Sequence, residues 1–477
     1  MRVLAEEYFD EHAEKCVSAP KHRDDQSRPP QRVEAEYQHV NQREQDQALE
    51  PRFVELAWVT RQLRRIVRKH VRVVTERMPT LKSVTVGVWV NTGSRDEQPP
   101  QAGYSHFIEH MLFKGTRKRS SAEISREIDA LGGEMNAFTS RETTTYYVKV
   151  LDQQLPQALE LLSDLFHHSR FLPKDIEKEK QVVLEEIRMV QDDPEDLVQE
   201  LHMGQVLGRH PLGRSILGRE KTVRGLRRQD LMSYIEARYD SSQTVVSIAG
   251  NFEQDKLDLL VAKYFGKGRS AKATPANGRR SPDMRGGVLL KKKKLEQVHL
   301  CLGLKGVPAG HRDRYALYAL NSVLGGSVSS RLFQEVREKR GLVYSIYSYL
   351  SGYSDGGMIT VYAATRPKEV DRVVDLVCRE IRRMGSKGVV GKELERAKVQ
   401  MKGSLMLSLE SSHSRMSKLA KDELTYGKHT SLDDMLARID RVSEEQMFNV
   451  GRQFFNVDSL AITGLGPLSP GTLQSYR

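Results

Sequence analysis

The sequence predicts an α+β protein of two similar domains, each a largely antiparallel β-sheet packed with α-helices. Its 477 residues are about three times the roughly 150 of an ordinary domain. A helix at 121–131 leads through two adjacent strands into a second helix at 155–167, and the same order begins again about 210 residues later, at 330–339. Because the strands come in pairs, we expect hairpins and mostly antiparallel sheets. The pattern indicates a duplicated unit.

Two shifts in composition divide the chain. The first fifty residues hold twelve acids, seven bases and few large apolar side chains, so that 1–58 is predicted to be a mostly disordered extension. Residues 267–285 are rich in Gly, Pro, Ser and basic side chains, as is typical of a linker. This predicts an N-terminal domain at 59–266 and a C-terminal domain at 286–477, each of ordinary size.

The net charge of +12 comes from 75 Lys and Arg against 63 Asp and Glu, and it raises the question of a nucleic-acid partner. Residues 267–294 alone hold ten bases and one acid. No basic stretch interleaved with aromatic residues and no zinc-finger spacing is present, so we expect no nucleic-acid partner.

Cysteine usage and apolar runs bear on the compartment. Cys16, Cys301 and Cys378 are odd in number and outside any CxxC pair, which argues against a disulfide framework and favours a reducing environment. The mean hydropathy is −0.54, and no stretch approaches the 18 apolar residues of a membrane span. The start of the chain has neither a signal-peptide h-region nor the acid-poor character of a transit peptide. We therefore expect a cytoplasmic protein with no membrane span.

The strongest chemical signal is the segment YSHFIEHML at 104–112. On a helix with about 100° per residue, His106, Glu109 and His110 fall within one arc of about 100°. Apolar residues occupy the other faces, so the helix is predicted to be buried with three ionisable groups that need partners or a metal. Two imidazoles one turn apart suit zinc, and HxxEH is the inverse of the HExxH motif, with the glutamate placed as a base.

A catalytic zinc site needs a third protein ligand. The best source is the acid-rich helical segment at 175–196, in which Glu179 and Glu186 lie two turns apart and border an apolar side. Spacing alone does not choose among its four central acids, which are Glu177, Glu179, Glu185 and Glu186. Two histidines and one carboxylate also suit a mononuclear iron oxygenase, but a free glutamate between the histidines favours hydrolysis.

These segments together resemble one known family. HFIEH, NAFTSRETTTYY, EKQVVLEEI and REKRGLVYS occur in the order found in the insulinase, or pitrilysin, family of zinc metallopeptidases. The chain is most similar to the short two-domain members related to mitochondrial processing peptidase, over about residues 65 to 460. The resemblance implies that 59–266 is the zinc-binding peptidase domain and 286–477 a peptidase-like domain.

The resemblance assigns roles around one Zn²⁺ per chain. It implies His106, His110 and Glu186 as zinc ligands and Glu109 as the general base. Glu179 matches the second acid of the ligand helix, which supports the site from nearby.

The resemblance also extends to the second domain and to one strand of the first. Arg337 and Tyr344 match a family Arg and Tyr that hold the substrate backbone and polarise the scissile carbonyl, although Arg340 is a local rival for Arg337. From the residues alone, these two read as a solvated helix end and a strand tyrosine. The edge strand on which family members bind peptide as an added β-strand falls on Asn136, Ala137 and Phe138. An ordinary edge strand is the alternative.

The function expected from this resemblance is that of a zinc-dependent metalloendopeptidase. It would hydrolyse peptides or unfolded, presequence-like segments in an enclosed chamber. The alternative is a non-catalytic scaffold or partner subunit of the same family. Because the family encloses a peptide with four half-units and this chain supplies two, we expect a homodimer, or a heterodimer with a related subunit.

Overall fold

A computed structural model describes residues 63–68, 71–266, 279–469 and 471–476. The predicted extension at 1–58 and most of the predicted linker lie outside this part of the chain. The strands are β1 Leu63–Arg68, β2 Val71–Arg77, β3 Ser83–Val90, β4 Glu134–Thr139, β5 Thr144–Leu151, β6 Thr244–Gly250, β7 Gly287–Lys292, β8 Val298–Lys305, β9 Val343–Gly352, β10 Gly357–Thr365 and β11 Ala461–Gly466. The longer helices are α1 Tyr104–Leu112, α2 Ser121–Ala130, α3 Leu155–His168, α4 Pro173–Asp192, α5 Pro194–Leu207, α6 Glu220–Arg224, α7 Arg228–Arg238, α8 Gln254–Phe265, α9 Arg314–Leu324, α10 Val370–Lys387, α11 Lys392–Ser408, α12 Ser412–Tyr426, α13 Leu432–Asp440 and α14 Glu444–Phe454.

Two sheets organise the fold. Sheet 1 has the strand order β1-β2-β6-β3-β5-β4, and sheet 2 has the order β7-β11-β8-β10-β9. All neighbours are antiparallel except the pairs β2–β6 and β7–β11. All strands of sheet 1 precede the predicted linker, in what we term the first half, and all strands of sheet 2 follow it, in the second half. The predicted fold class of two helix-packed, largely antiparallel sheets is confirmed.

The repeated order of elements is visible in the two halves. The hairpin β4–β5 is followed by α3, α4 and α5, and the hairpin β9–β10 is followed by α10, α11 and α12. Before the second hairpin, the helix expected at 330–339 takes a π-helical form over Phe333–Glu338, with hydrogen bonds that close wider turns. The equivalent α2 is a regular helix with a capping box from Ser120 and Glu123.

The two halves exchange one helix each. Helix α12 of the second half packs on β2, β3 and β6 of sheet 1, and α5 of the first half packs on β8 and β11 of sheet 2. At the first contact the indole N–H of Trp89 donates to the sulfur of Met416 at 3.1 Å, and both side chains are fully buried. At the second, Val198 of α5 is buried with Cys301 and Leu465. Each sheet therefore has a helix of the other half on one face.

This exchange explains the sequences of the central strands. Strand β6, TVVSIAG, is buried at every position, and in β3, SVTVGVWV, only the first residue is partly exposed. A strand covered on one face alone would alternate apolar and polar residues, whereas these strands are covered on both faces. The opposite face of sheet 1 packs on helices of its own half, including α1, α3 and α4. Helix α1 packs on β4 and β5, at one edge of the sheet.

Among the residues that the structure describes, no helix is long and apolar enough to cross a bilayer.

We expect Met416→Ala to lower the free energy of unfolding by about 2–5 kcal/mol, because it removes a fully buried side chain between the halves and leaves a cavity. The matched control is Met406→Ala on α11, where the side chain is 38% exposed, and we expect a change within about 0.5 kcal/mol. Urea unfolding followed by circular dichroism measures both. Equal effects of the two substitutions would contradict the view that α12 is part of the core of sheet 1.

Candidate metal centre

The N-terminus of helix α1 is fixed by a carboxylate from the preceding loop. Glu97, which is 2% exposed, accepts hydrogen bonds from the backbone N–H groups of Gly103 (2.8 Å) and Ser105 (2.7 Å). Gly103 precedes the helix with φ +95°, a conformation that favours glycine. A carboxylate at this end complements unpaired N–H groups and the helix dipole. The loop thus sets where α1 begins and how it is oriented.

Helix α1 and helix α4 bring three ligand-type side chains to one point. The Nε2 atoms of His106 and His110 lie 3.7 and 3.6 Å from Oε2 of Glu186. One donor atom from each of the three side chains lies within 4.8 Å of the other two. In a tetrahedral zinc site with bonds near 2.1 Å, neighbouring ligand atoms are about 3.4 Å apart. The spacing of this cluster is therefore close to that of a metal centre.

The protonation of the cluster favours a cation. Burial, with a smaller effect of neighbouring His110, lowers the pKa of His106 to about 3, so its imidazole is neutral. Oε2 of Glu186 is buried without a hydrogen-bond donor, although it faces both imidazoles. Burial raises the pKa of Glu186. Three electron-pair donors directed at one another are stable only around a positive charge, so the residues present fit a bound metal ion.

Glu179 contacts His110 from the side opposite to the cluster. The Nδ1–H of His110 donates to Oε1 of Glu179 at 2.8 Å, and Nζ of Lys114 lies 2.6 Å from the other carboxylate oxygen. Burial lowers the pKa of His110, but the hydrogen bond to Glu179 and the charge of Glu186 raise it above its ordinary value. A carboxylate that holds the Nδ1 proton leaves Nε2 as the ligand atom in the neutral form.

The structure separates the four acids that spacing did not distinguish. The side chain of Glu177 is 69% exposed and pairs with Lys180 on the same helix. That of Glu185 is 63% exposed and pairs with Arg188. Only Glu179 and Glu186 face α1, and among the described residues only Glu186 groups with the two histidines as a potential ligand set.

Glu109 lies on the same helix, between the two histidines in sequence. It is 7% exposed, and its Oε2 accepts a hydrogen bond of 2.6 Å from the hydroxyl of Thr139 on β4. Burial is the main cause that raises the pKa of Glu109 to about 7, and the charge of Glu186 adds to it against the hydrogen bond from Thr139. The carboxyl group can therefore take up or release a proton near neutral pH.

The predicted peptide strand is at the edge of sheet 1. Asn136, Ala137 and Phe138 belong to β4, which among the described strands pairs only with β5. Ala137 packs in the same buried cluster as α1, and Phe138 packs edge-to-face on Trp89 at 5.4 Å between ring centroids. One row of backbone groups of β4 thus lies outside the ladder of sheet 1. The role in peptide binding stays a prediction.

Arg337 and Tyr344 are not brought to the cluster within this chain. The guanidinium of Arg337 lies over the rings of Phe333 and Tyr344, at 4.7 and 5.4 Å, and Tyr344 is 65% exposed. Among the described residues, Arg337 has one ion pair, with Glu338, at 3.8 Å. The rival Arg340 pairs with Glu335 instead. The catalytic roles of Arg337 and Tyr344 stay predictions.

Sequence reasoning missed Thr139 and Glu97, the residues that hold Glu109 and α1 in place. Thr139 follows Phe138 directly, and strand alternation puts it on the same face as Ala137, toward α1. That alternation was a usable signal. Glu97 lies seven residues before the helix and outside any local capping motif, so no sequence pattern marked it.

The fold has two sheets that exchange helices, and the site combines a buried HxxEH helix with a carboxylate from a second helix. These features are those of a metallopeptidase with the inverted zinc motif. Residues 72–220 match the family model described as Insulinase (Peptidase family M16), and 225–401 match that of the Peptidase M16 inactive domain. An uncharacterized zinc protease of Bacillus subtilis (strain 168) is 46% identical over 388 residues, which cover 81% of this chain and 94% of that protein. The chain belongs to the insulinase family, as the sequence motifs predicted.

Other similar proteins agree with this assignment. An uncharacterized zinc protease of Streptomyces coelicolor (strain ATCC BAA-471 / A3(2) / M145) is 42% identical over 404 residues, 83% of this chain and 88% of that protein. A peptidase M16 inactive domain from Pseudomonas fluorescens has the same fold, with a TM-score of 0.79 at 20% identity over 85% of this chain and 98% of that chain. A protease from Helicobacter pylori also has this fold, with a TM-score of 0.79 at 22% identity over 85% of this chain and 100% of that chain.

We expect Glu179→Gln to weaken zinc binding about 10- to 100-fold, because it removes the carboxylate that orients His110. Competition with a chromophoric chelator measures the affinity of the folded protein. The matched control is Glu177→Gln, which alters an exposed carboxylate two residues away on the same helix and should leave the affinity unchanged. Equal affinities of the two variants would argue against a supporting role for Glu179.

Proposed function

We propose that the chain is a zinc metalloendopeptidase with one Zn²⁺ per chain, held by His106, His110 and Glu186. The observation that carries the proposal is the convergence of two imidazoles and one carboxylate within one small volume, beside the buried acid Glu109 on the helix of the two histidines. The names of the bacterial relatives, which call them zinc proteases, support the choice of metal and reaction.

Each residue of the site has a part in hydrolysis. Bound Zn²⁺ supplies a Lewis acid that lowers the pKa of water from 15.7 toward about 7. Glu109, whose pKa is raised to about 7, accepts the proton of the attacking water and returns it to the leaving amine. The hydroxyl of Thr139 donates to one oxygen of Glu109 and so orients the carboxyl group. Glu179 keeps His110 in the tautomer that can bind metal.

The substrate is proposed to be an extended peptide or an unfolded, presequence-like segment in an enclosed chamber. Strand β4 is the edge strand that carries Thr139, so a peptide paired with Asn136–Phe138 would run beside the base. Main-chain pairing of this kind is compatible with many side chains. An unfolded segment has free backbone groups along its length, so this mode of binding favours flexible chains as substrates.

Arg337 and Tyr344 are proposed to hold the substrate backbone and to donate hydrogen bonds to the developing oxyanion. Their exposure and their mutual contact leave both groups available to a ligand. As neither contacts the ligand cluster of its own chain, the proposal requires a movement of the second half or a partner chain. A homodimer, or a heterodimer with a related subunit, is the assembly proposed on this ground.

A non-catalytic subunit is the rival function. The model of an inactive domain that matches 225–401 is the observation in its favour. It concerns mainly the second half, whereas the complete His106, Glu109, His110 and Glu186 set lies in the first. A scaffold has no need to keep both the ligands and the base, so we favour the enzyme.

We expect Glu109→Gln to keep zinc and to lower kcat for cleavage of unfolded peptides by about 10²–10⁴-fold, because the amide cannot accept the proton. His106→Ala should lose zinc as well as activity. Hydrolysis of fluorogenic peptides and zinc content by mass spectrometry are measured on the same samples. Glu185→Gln is the matched control for an exposed glutamate near the site. Full activity of Glu109→Gln would refute the assignment of the base.

We expect Tyr344→Phe to lower kcat by about 10²–10³-fold, as the loss of one oxyanion donor does in other hydrolases. Arg337→Ala should also reduce kcat/KM, while Arg340→Ala, which removes a neighbouring arginine paired with Glu335, should not. Steady-state kinetics on one peptide compares the three variants. A larger loss with Arg340→Ala than with Arg337→Ala would reverse the assignment within this segment.

A further inference from the structure

A cluster of five charged side chains, none of them a proposed ligand, joins the two halves. Arg95, from the loop that precedes α1, forms a bidentate pair with Asp355 of the second half, at 3.0 and 2.8 Å, and also pairs with Glu142. Arg279, in the C-terminal part of the predicted linker, binds Asp96 at 3.1 and 2.8 Å and lies 3.3 Å from Glu142. Loop, hairpin, linker end and second half therefore meet at one point.

The cluster connects the tips of two equivalent hairpins. Glu142 is in the turn between β4 and β5, and Asp355 is in the turn between β9 and β10. The backbone N–H of Ser354 donates to Glu142 at 2.9 Å, and its hydroxyl donates to the same carboxylate at 2.6 Å. Each half thus contributes the corresponding turn of its repeated unit, and the two turns are bound to each other by side chains.

The charged side chain of Arg95 has no counterpart at the corresponding position of the second half. In the first half, the backbone of Arg95 donates to Arg141 O at 2.9 Å, which joins the loop to the β4–β5 turn. In the second half, the backbone of Ala309 makes the corresponding contact with Tyr353 O, also at 2.9 Å, without a charged side chain. Arg95 is 4% exposed, so its charge is stable there only with its carboxylate partners in place.

The junction is close in sequence to the reactive carboxyl group. Glu142 lies three residues after Thr139, whose hydroxyl is bonded to Glu109. The backbone N–H of Ser94 donates to Ser140 O at 3.3 Å, so the loop also fixes the residue that follows Thr139. The same loop continues to Glu97, which caps α1. The cluster therefore anchors both the end of β4 and the start of the ligand helix to the second half.

We propose that Arg95, through Asp355 and Glu142, is a positioning residue that holds the peptide-binding strand β4 in place against the β9–β10 turn of the second half. This inference rests on the proposed peptidase function. When the pair with Asp355 is lost, the β4–β5 turn and the adjoining part of β4 gain freedom, while the ligands keep their contacts with Glu179 and with one another and Glu109 stays buried on α1. The affinity for extended peptides then falls, because each substrate has to order the strand on which it binds.

The test compares Asp355→Asn in the full-length protein with the wild type. We expect KM for an unfolded peptide to rise about tenfold with kcat within about twofold, and the amides of β4 to exchange about tenfold faster with solvent. Zinc content should not change. Ser354→Ala, which removes only a hydroxyl from Glu142, is a milder second variant, and its effects should have the same direction and a smaller size.

The matched control is Glu76→Gln. Glu76 forms another buried pair between the halves, with Arg415 of α12, in the contact where α12 packs on sheet 1. The Glu76→Gln substitution should leave KM and the hydrogen exchange of the β4 amides unchanged, even if the free energy of unfolding falls. Equal effects of Asp355→Asn and Glu76→Gln, or no effect of Asp355→Asn, would overturn the role of Arg95. Absence of Glu109-dependent hydrolysis in the wild type would instead refute the proposed function, and exchange of β4 would then decide alone whether the cluster holds this strand.

Discussion

The cost of placing ionisable groups in an apolar interior shapes the first half. Helix α1 carries His106, Glu109 and His110 and packs on β4 and β5 of sheet 1, within a cluster of buried aliphatic and aromatic side chains. The cost of burial is reduced in a different way for each group: His106 is neutral, Glu109 accepts a hydrogen bond from Thr139, and His110 is paired with Glu179. Oε2 of Glu186 still faces both imidazoles without a hydrogen-bond donor, an arrangement that a metal ion would balance.

The environments of the carboxylates divide their work. Burial raises the pKa of Glu109 to about 7, whereas Glu179 keeps a lowered pKa because contacts with His110 and Lys114 outweigh the effect of burial. Glu186, two turns after Glu179 on α4, has no hydrogen-bond donor at the oxygen that faces the histidines. In the proposed mechanism, Glu109 is a proton carrier, Glu179 a fixed anion and Glu186 a ligand, and the difference lies in what each one contacts.

Local patterns were enough to predict what depends on local geometry. The helical arc of His106, Glu109 and His110, the paired strands of each half and the fold class all follow from spacing and periodicity. The choice of Glu186 came from family resemblance, because Glu177 and Glu185 fit the same helix and differ only in which face is buried. The junction at Arg95 depends on contacts between segments 260 residues apart, which no window of sequence contains. The cap from Glu97 and the π-helical form of Phe333–Glu338 are local, but no standard sequence motif marks them.

The exchange of helices also constrains the order in which the protein is made. Strand β6 completes sheet 1 at Gly250, but the helix that covers its second face begins at Ser412, about 160 residues later. During synthesis the growing chain therefore carries a finished sheet with one apolar face open to water, including Trp89, until most of the second half has emerged. A nascent chain in this state is a natural client for chaperones, and separate expression of the first half leaves that face uncovered permanently. The two repeated units therefore depend on each other to complete their cores.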